Sequence, residues 1–445
     1  MTNTDDKDSL EVVAEKLVFE GKALARVGRY VVFMDGALPG ERVRVRIEKR
    51  KRKFAVGRVL EILEPSKDRI ASDCPLFGDC GGCTFRHCNY TAQLRWKKEV
   101  FLESLHGVPG AAELVEDVAG MEQPLYYRNK MVFSFGVDEG LVVIGQHRRE
   151  DYKHIVPISQ CLLQSPESNE ILRRTTTFVR EKNIPVLDES GQGLLREIMI
   201  REGKETGQRL VQLNSTALHP AFEELPALYG ALCNTVLIGL DERVQGPPRP
   251  TSFRILKGDG TIMERMNGLE FEIGSETFFQ TNTLQAERMF QWVLDRVEKL
   301  KPALALDLYA GVGPIAMQLS RVAGRVVGVE SNAQSVKAAE KNIERNRLAN
   351  VSMICAEVEK APAGALPASA DVIVVDPPRP GLHKKAVDKI IAMNPACLVY
   401  VSCNPATLAR DLVFFIQAGF TIKAIRPFDL FPHTFHLESV TVLER

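Results

Sequence analysis

Ser402-Cys403-Asn404-Pro405 stands where a run of β-formers, Leu398–Val401, gives way to a helix-compatible stretch. A cysteine on a strand-to-helix turn is either a core residue that reached the turn or a nucleophile held at a sheet's edge. Four other chemistry-bearing residues share this kind of position. Tyr309 follows the apolar run 303–308, Glu330 ends the run Val326–Val329, Glu357 follows Val351–Cys355, and Asp376 follows Asp371–Val375. Ligands of open α/β sheets bind beyond the carboxyl ends of the strands. Each acid alone reads as a helix cap or solvated loop residue, but five residues at corresponding places read as a site.

The stretch 303–320, ALALDLYAGVGPIAMQLS, reads as strand, glycine turn and helix. Pro314 suits the first helical position, and Ile315, Leu319 and Val322 recur on one face. Glu330 lies 19 residues past Gly311, where an acid accepts hydrogen bonds from ribose hydroxyls. The turn lacks the G-x-G-x-x-G spacing of pyrophosphate sites, which favours a nucleoside cofactor without phosphates, such as S-adenosylmethionine. Asp376-Pro377-Pro378 is similar to the signature of adenine-N6 methyltransferases. Arg379, however, occupies the place of their stacking aromatic, and amino methylation needs no thiol.

A thiol is needed when the methyl acceptor is C5 of a pyrimidine. That carbon is a poor nucleophile until a thiolate adds to C6 and turns the ring into an enolate. Cys403 precedes a helix predicted to begin near Pro405, whose N-terminus is expected to lower its pKa from the free value of about 8.5. Cys233, Cys355 and Cys397 lie in apolar, strand-like runs and are expected to be inert core. After methylation, C5 carries a proton that a base must remove. Glu438, in PFDLFPHTFHLESVTVLER (427–445), is the candidate, with His433 and His436 competing. Phe435, Leu437 and neighbouring aromatics are expected to raise its pKa by desolvation.

The elements that must position these groups divide the chain into parts. Its 445 residues imply two or three domains. After Lys301-Pro302 the pattern is strand–helix–strand, a parallel α/β sheet, with Thr421–Phe428 and Ser439–Leu443 as the last two strands. Residues 125–273 carry alternating stretches (Met131–Gly136, Leu195–Arg201, Leu269–Ile273) that predict a largely antiparallel sheet. Residues 9–65 read as short strands with turns at Asp35-Gly36 and Pro39-Gly40, and 1–8 as a disordered tail. Lys and Arg (57) balance Asp and Glu (57), so nucleic-acid affinity must come from a local patch. ERVRVRIEKRKRK (41–53) is one, with eight basic residues against two acidic. Val43, Val45 and Ile47 alternate with Arg42, Arg44 and Arg46, giving one buried and one positive strand face, the electrostatic footprint of phosphate binding. Arg128, Lys130, Phe133 and Phe135 are expected to add charge and base stacking. No apolar run approaches the ~20 residues of a membrane span, and MTNTDDKD has no signal-peptide core. A cytoplasmic setting is expected, in which nine cysteines point to metal or catalysis. Cys74, Cys80, Cys83 and Cys88 lie within 15 residues. Their spacing matches neither a zinc knuckle nor the C-x3-C-x2-C of radical enzymes. On spacing alone Cys88 is the fourth ligand, and zinc and iron–sulfur stand level.

CPLFGDCGGC, YYRNKMVFSFG, SETFFQTN, DLYAGVGPIA, VVGVE, DPPRPGL, SCNPATLARDL and FPHTFHLESV together resemble, nearly end to end, the RNA (uracil-C5) methyltransferase family. The resemblance is to its iron–sulfur branch, which modifies 23S ribosomal RNA. It implies an α/β protein: an OB-like TRAM β-barrel (9–65), a β-rich iron–sulfur middle domain (66–273) and a Rossmann-like class I methyltransferase domain (274–445). It implies Cys403 as nucleophile and Glu438 as proton acceptor, with Gln280, Tyr309, Glu330, Glu357 and Asp376 contacting S-adenosylmethionine. Gln280 is nominated by the FFQTN match alone. Cys74, Cys80, Cys83 and the distant Cys161 would hold a [4Fe-4S] cluster, leaving Cys88 spare. The expected partner is RNA, its target uridine flipped from the stack, with no DNA or membrane and a monomeric enzyme. The alternatives are a transfer-RNA uracil-5-methyltransferase and an RNA-binding protein that has lost catalysis.

Overall fold

A computed structural model describes residues 9–445; the expected disordered tail, 1–8, lies outside the described residues. The C-terminal sheet has seven strands: β1 (Leu304–Leu308), β2 (Arg325–Glu330), β3 (Val351–Cys355), β4 (Val372–Val375), β5 (Cys397–Ser402), β6 (Thr421–Phe428) and β7 (Glu438–Glu444). Their order is β3-β2-β1-β4-β5-β7-β6. β3 through β5 are parallel, and β7 lies antiparallel between β5 and β6. The order reverses between β1 and β4, which opens a crevice at their carboxyl ends. Both faces are buried, and side chains alternate between them. Val372 and Val374 enter the core beneath the helices Thr283–Val297 and Pro314–Leu319. Ile373 and Val375 enter the other, beneath Lys384–Met393 and Pro405–Gln417. The helix at Pro314 ends at Leu319, so Val322, expected on its face, packs from the turn beyond.

The middle sheet also has seven strands, running in space from Ser252–Lys257 through Thr235–Leu240, Arg209–Ser215, Leu195–Glu202, Lys130–Asp138 and Leu141–Arg148 to Asp151–Pro157. All pairs are antiparallel except Arg209–Ser215 with Thr235–Leu240, which the helical turns of residues 220–232 bring into parallel. The apolar face of helix Pro166–Glu181 covers it. Phe133 and Phe135 point into this core and are buried, so they are packing residues and not base stackers. The hairpin Thr261–Met266/Leu269–Gly274 instead packs into the core of the C-terminal sheet.

The N-terminal sheet has six strands and curls so that Ser9–Val13 approaches Ala23–Val27. Gly36 and Gly40 take positive φ, +83° and +86°, at the two expected turns. In Arg42–Arg50 the valines at 43 and 45 are buried and Arg42 and Arg46 exposed, as alternation requires. Acids on neighbouring strands answer part of the basic face: Arg42 pairs with Glu11 and Glu64, and Arg44 with Glu11 and Glu61. Lys51, Arg52 and Lys53, at the turn that follows, are exposed.

Helix Tyr90–Ser104, capped by Asn89, joins the parts. Phe101 packs in the C-terminal core, while Ala92, Trp96 and Val100 pack against the N-terminal core. The chain beyond it runs along β6, with Glu116 N donating to Ile425 O (2.8 Å) and Ala119 N to Pro427 O (2.9 Å), and so covers an open sheet edge. Lys97 Nζ meets Asp429 Oδ1 at 2.6 Å, both side chains at most 1% exposed. Nζ also reaches Phe431 O (3.1 Å), and Tyr90 Oη donates to Asp429 Oδ2 (2.9 Å). Removing one partner strands a buried charge. Asp429→Ala is therefore expected to cost about 3–5 kcal/mol, read as a lowered urea midpoint. Lys97→Met combined with Asp429→Leu should recover most of it; equal losses in the single and double variants would show that the pair does not secure this helix.

Candidate active site

Strand register brings Cys403 and Glu438 together. β5 and β7 pair antiparallel with Val401 opposite Val440 and Ser402 opposite Ser439; one step further along both strands sets Cys403 beside Glu438. β4 lies parallel on the other side of β5, Val375 opposite Tyr400, so Asp376 emerges next to them. Glu438 is the first residue of β7, not a loop residue, and is 6% exposed. Burial and then the neighbouring Asp376 push its carboxyl well above the usual range. Burial likewise raises Asp376, to about 7. Arg379 is the cation that opposes these acids.

The Cys403 thiol is pushed up to about 11, by burial first and by Glu438 and Asp376 next, with Arg379 acting the other way. The lowering expected from the helix N-terminus is not what this environment gives. Two acids face the sulfur, and Asn404 Oδ1 already takes a first-turn donor of that helix, Ala406 N–H (3.1 Å).

The turn carrying Arg379 is fastened to the turn carrying Cys403. Asn404 Nδ2 and Thr407 Oγ1 both donate to Arg379 O (3.1 and 3.2 Å). Behind it, Asp411 Oδ2 accepts from Tyr400 Oη (2.7 Å) and Leu382 N (2.8 Å). Gly381 must be glycine: φ is +77°, and a Cβ would stand 2.7 Å from Asp411 Oδ2. Sequence reasoning did not single out Asp411, whose only signal is an acid on the buried side of an apolar helix.

Glu330 closes on the glycine turn, accepting from Gly311 N (3.0 Å), Asn332 N (2.7 Å) and Ser331 Oγ (3.1 Å). Tyr309 takes φ +68°, and its hydroxyl lies 3.5 Å from Glu359. Gln280 is buried and donates to Asp376 Oδ2 (3.4 Å), while its carbonyl is held by Asn129 Nδ2 (2.8 Å). Glu357 stands at the crevice edge, but its carboxylate pairs with Lys360 (2.6 Å). Asp307, not singled out from sequence, is fully buried under the turn. Its Oδ2 accepts from Ala316 N (2.8 Å) and Oδ1 has no partner, so desolvation raises it well above the carboxylate range. These features fit S-adenosylmethionine: open space above Gly311, an acceptor at ribose position, and carboxyls in want of a cation. Cys233 and Cys397 are buried as expected, whereas Cys355 is exposed at the end of β3, because that strand is the sheet's edge.

The two competing bases are both held neutral. His433 and His436 are each pushed down to about 4 by burial and then by nearby cations. His433 serves as a staple: its N donates to Gln93 Oε1 (3.0 Å), Nδ1 faces Gln93 Nε2 (3.2 Å), and its carbonyl accepts from Thr84 N and Phe85 N. His436 lines a cavity with Cys403.

Cys74, Cys80, Cys83 and Cys161 border a single cavity, together with Arg86 and Arg128. Cys88 does not. It is buried in the N-terminal core, facing Asp68 and Arg95, which removes it from the ligand set that spacing alone suggested. Gly81 N donates to His147 O (3.0 Å) and Arg149 N to Asp79 O (2.7 Å), fastening the 74–83 loop to the middle sheet. Asn169 brackets Cys161, accepting from its N (2.8 Å) and donating to its O (3.0 Å). Among the described residues no three Cys, His, Asp or Glu side chains are placed to hold a metal ion; the four thiols ring a space. That donor set suits a thiolate-bound cluster better than a hard cation. Arg128 belongs to this cavity and is half-buried. Lys130 is half-buried, with its pKa lowered to about 8 by burial and by Arg201.

Comparison with known proteins agrees with this geometry. Residues 261–365 and 367–445 match the tRNA (uracil-5-)-methyltransferase family model, and 9–60 the TRAM domain. An uncharacterised RNA methyltransferase of Halalkalibacterium halodurans is 34% identical, over 98% of this chain and 97% of its own. Another, from Caldanaerobacter subterraneus subsp. tengcongensis, is 33% identical over 98% of each. The crystal structure of Pyrococcus abyssi tRNA (uracil-54, C5)-methyltransferase in complex with S-adenosyl-L-homocysteine superposes with a TM-score of 0.79 at 27% identity, over 98% of this chain and 100% of that one. The chain belongs to the RNA uracil-5-methyltransferase family, S-adenosylmethionine-dependent enzymes, and carries an N-terminal TRAM domain.

Proposed function

We propose that the protein methylates C5 of a flipped uridine in 23S ribosomal RNA through a covalent adduct at Cys403. The convergence of Cys403 and Glu438 at the mouth of the cofactor crevice carries this reading. The Cys403 thiol first loses its proton to solvent; the thiolate sulfur then bonds to C6, and the displaced C5=C6 electrons become an enolate whose C5 is nucleophilic. S-adenosylmethionine supplies the methyl group to C5 and departs as S-adenosylhomocysteine. Glu438 then takes the C5 proton, and the electrons of that C–H bond re-form C5=C6 and expel the Cys403 thiolate. Gln280, Tyr309, Glu330, Glu357 and Asp376 would hold the cofactor. Arg379 is the counterweight that lets Cys403 and Glu438 share this space with Asp376. We assign Cys74, Cys80, Cys83 and Cys161 to a [4Fe-4S] cluster that pins the 74–83 loop. The four thiols favour the ribosomal-RNA reading; the likeness to a transfer-RNA enzyme along the whole chain favours transfer RNA as the second.

Methyl transfer from labelled cofactor to unmodified 23S ribosomal RNA and to transfer RNA, with the product mapped, decides between the two substrates. On whichever RNA is methylated, Cys403→Ala should transfer no methyl and form no adduct. Glu438→Gln should accumulate a labelled protein–RNA band that resists denaturation, because thiol elimination waits on the lost proton. Normal turnover by Glu438→Gln would falsify its role.

With the thiol near 11, its reactive thiolate is scarce at neutral pH, and the raised Glu438 carboxyl gives up its proton at higher pH than an ordinary carboxylate. The single-turnover rate should therefore climb from pH 6 to 9. Arg379→Gln removes the opposing cation and should lower the neutral-pH rate by about tenfold, one pKa unit of thiolate, with the profile moved to higher pH. A flat profile refutes this account.

Anaerobically purified protein should contain about four irons and absorb broadly near ~400 nm, as four-cysteine clusters do. Cys161→Ser should lose the chromophore and Cys88→Ser retain it; the reverse would return Cys88 to the ligand set.

A further inference from the structure

The cavity that begins at Cys403 extends beyond the C-terminal domain. One wall is the turn Phe19-Glu20-Gly21 of the N-terminal sheet, and another is Trp96 on the joining helix. The N-terminal domain, whose composition marks it only as a surface for phosphates, thus borders the reacting sulfur's own cavity. The approach is close. Gly21 has φ +77°, and a Cβ there would stand 3.1 Å from both Phe435 Cβ and Phe85 Cζ. Glu20 takes φ 69°, ψ 6°, a left-handed conformation uncommon for such a side chain. Phe19 meets Phe435 edge-on, centroids 5.9 Å apart at 72°, yet remains 47% exposed.

Two polar groups on this largely apolar cavity lack partners. Trp96 Nε1 is buried without a hydrogen bond. Glu20, exposed at the rim, has neither hydrogen bond nor ion pair among the described residues. A carboxylate at the mouth of an RNA site repels phosphate but accepts from a base's amino group. Aromatic rings with one acceptor and one donor make up the chemistry by which unstacked bases are held.

We propose that the mouth of this cavity receives a nucleobase flanking the target uridine, stacked on the exposed face of Phe19 with Phe435 at its edge, and with Glu20 accepting from its exocyclic amino group. Guanine, adenine and cytosine carry that group and uracil does not, so the N-terminal domain reads sequence beside the reacting base. The inference rests on Cys403 being the residue that meets a flipped uridine. Its test measures binding alone, so its result stands apart from that of the Cys403 and Glu438 variants.

The probes are fluorescein-labelled RNA heptamers with a central uridine, each flank varied among A, C, G, U and an abasic residue, titrated with the full chain. An amino-bearing base at one flank should bind about tenfold tighter than uracil or the abasic residue there, on the scale of a base–aromatic stack. Phe19→Ala should abolish that preference and lose about tenfold in affinity. Glu20→Gln should narrow the preference over uracil while keeping the gain over the abasic residue. Unchanged affinity of both variants for S-adenosylhomocysteine shows that they are folded. The proposal is overturned if the unmodified chain shows no flank preference, or if the preference survives both substitutions.

Discussion

The buried Lys97–Asp429 pair is the contact on which the rest of the arrangement depends. A charge on a helix near the N-terminal sheet meets a charge on the loop between β6 and β7, and neither has water to fall back on. Tyr90 adds a second bond to Asp429 and passes the constraint on, its oxygen accepting from Met121 N (2.9 Å). Tyr127 Oη reaches Pro432 O (3.1 Å) from the middle of the chain. The loop 429–437 is thereby held by groups from two other parts of the molecule, and it sets where Phe435, His436 and the start of β7 stand. Glu438 needs no tether of its own, because the loop delivers it.

At the site itself, electrostatic frustration is concentrated in one place. Asp376 and Glu438 face one thiol with a single guanidinium opposed to them, while Asp307 lies buried beneath the glycine turn with one oxygen unpartnered. Such an arrangement is costly in itself and less so when a cation lies beside it, so a bound cation and the Cys403 thiol are linked through charge. Functional sites are where strain of this kind is expected to be stored.

Much of this was legible in the sequence because period and punctuation agree. Buried strands ending in acids, a glycine turn followed by Pro314 and alternating valines in the basic strand each made the fold and the ligand edge visible. What stayed hidden depends on partners distant in the chain. The antiparallel step that sets Cys403 beside Glu438 is a property of register, which no local pattern prints. Spacing put Cys88 with its neighbours, whereas the fold turns it into another core and sets Cys161 on the cavity that Cys74, Cys80 and Cys83 line. Phe133 and Phe135 look like stackers beside basic residues, but alternation in the strand faces them inward. Cys355 looked buried because its strand is apolar, and only the strand order shows that the strand is an edge. The Cys403 shift runs opposite to expectation for a related reason: the helix is adjacent in the chain, whereas the approach of Asp376 and Glu438 to the sulfur is set by strand register.

The place of β7 has a consequence for how the molecule comes into being. It is inserted between β5 and β6, both of which precede it in the chain. Until residues 438–444 leave the ribosome, those two strands have no common neighbour, and the sheet has an unfilled slot edged by the unpaired backbone groups of β5 and β6. Domains tend to fold as units during synthesis, but this one must wait for its last strand. The nascent chain therefore exposes a sticky double edge for that interval, and Glu438, the acid that meets Cys403, arrives in the same step that closes it. Assembly of the sheet and the meeting of Cys403 with Glu438 are one event.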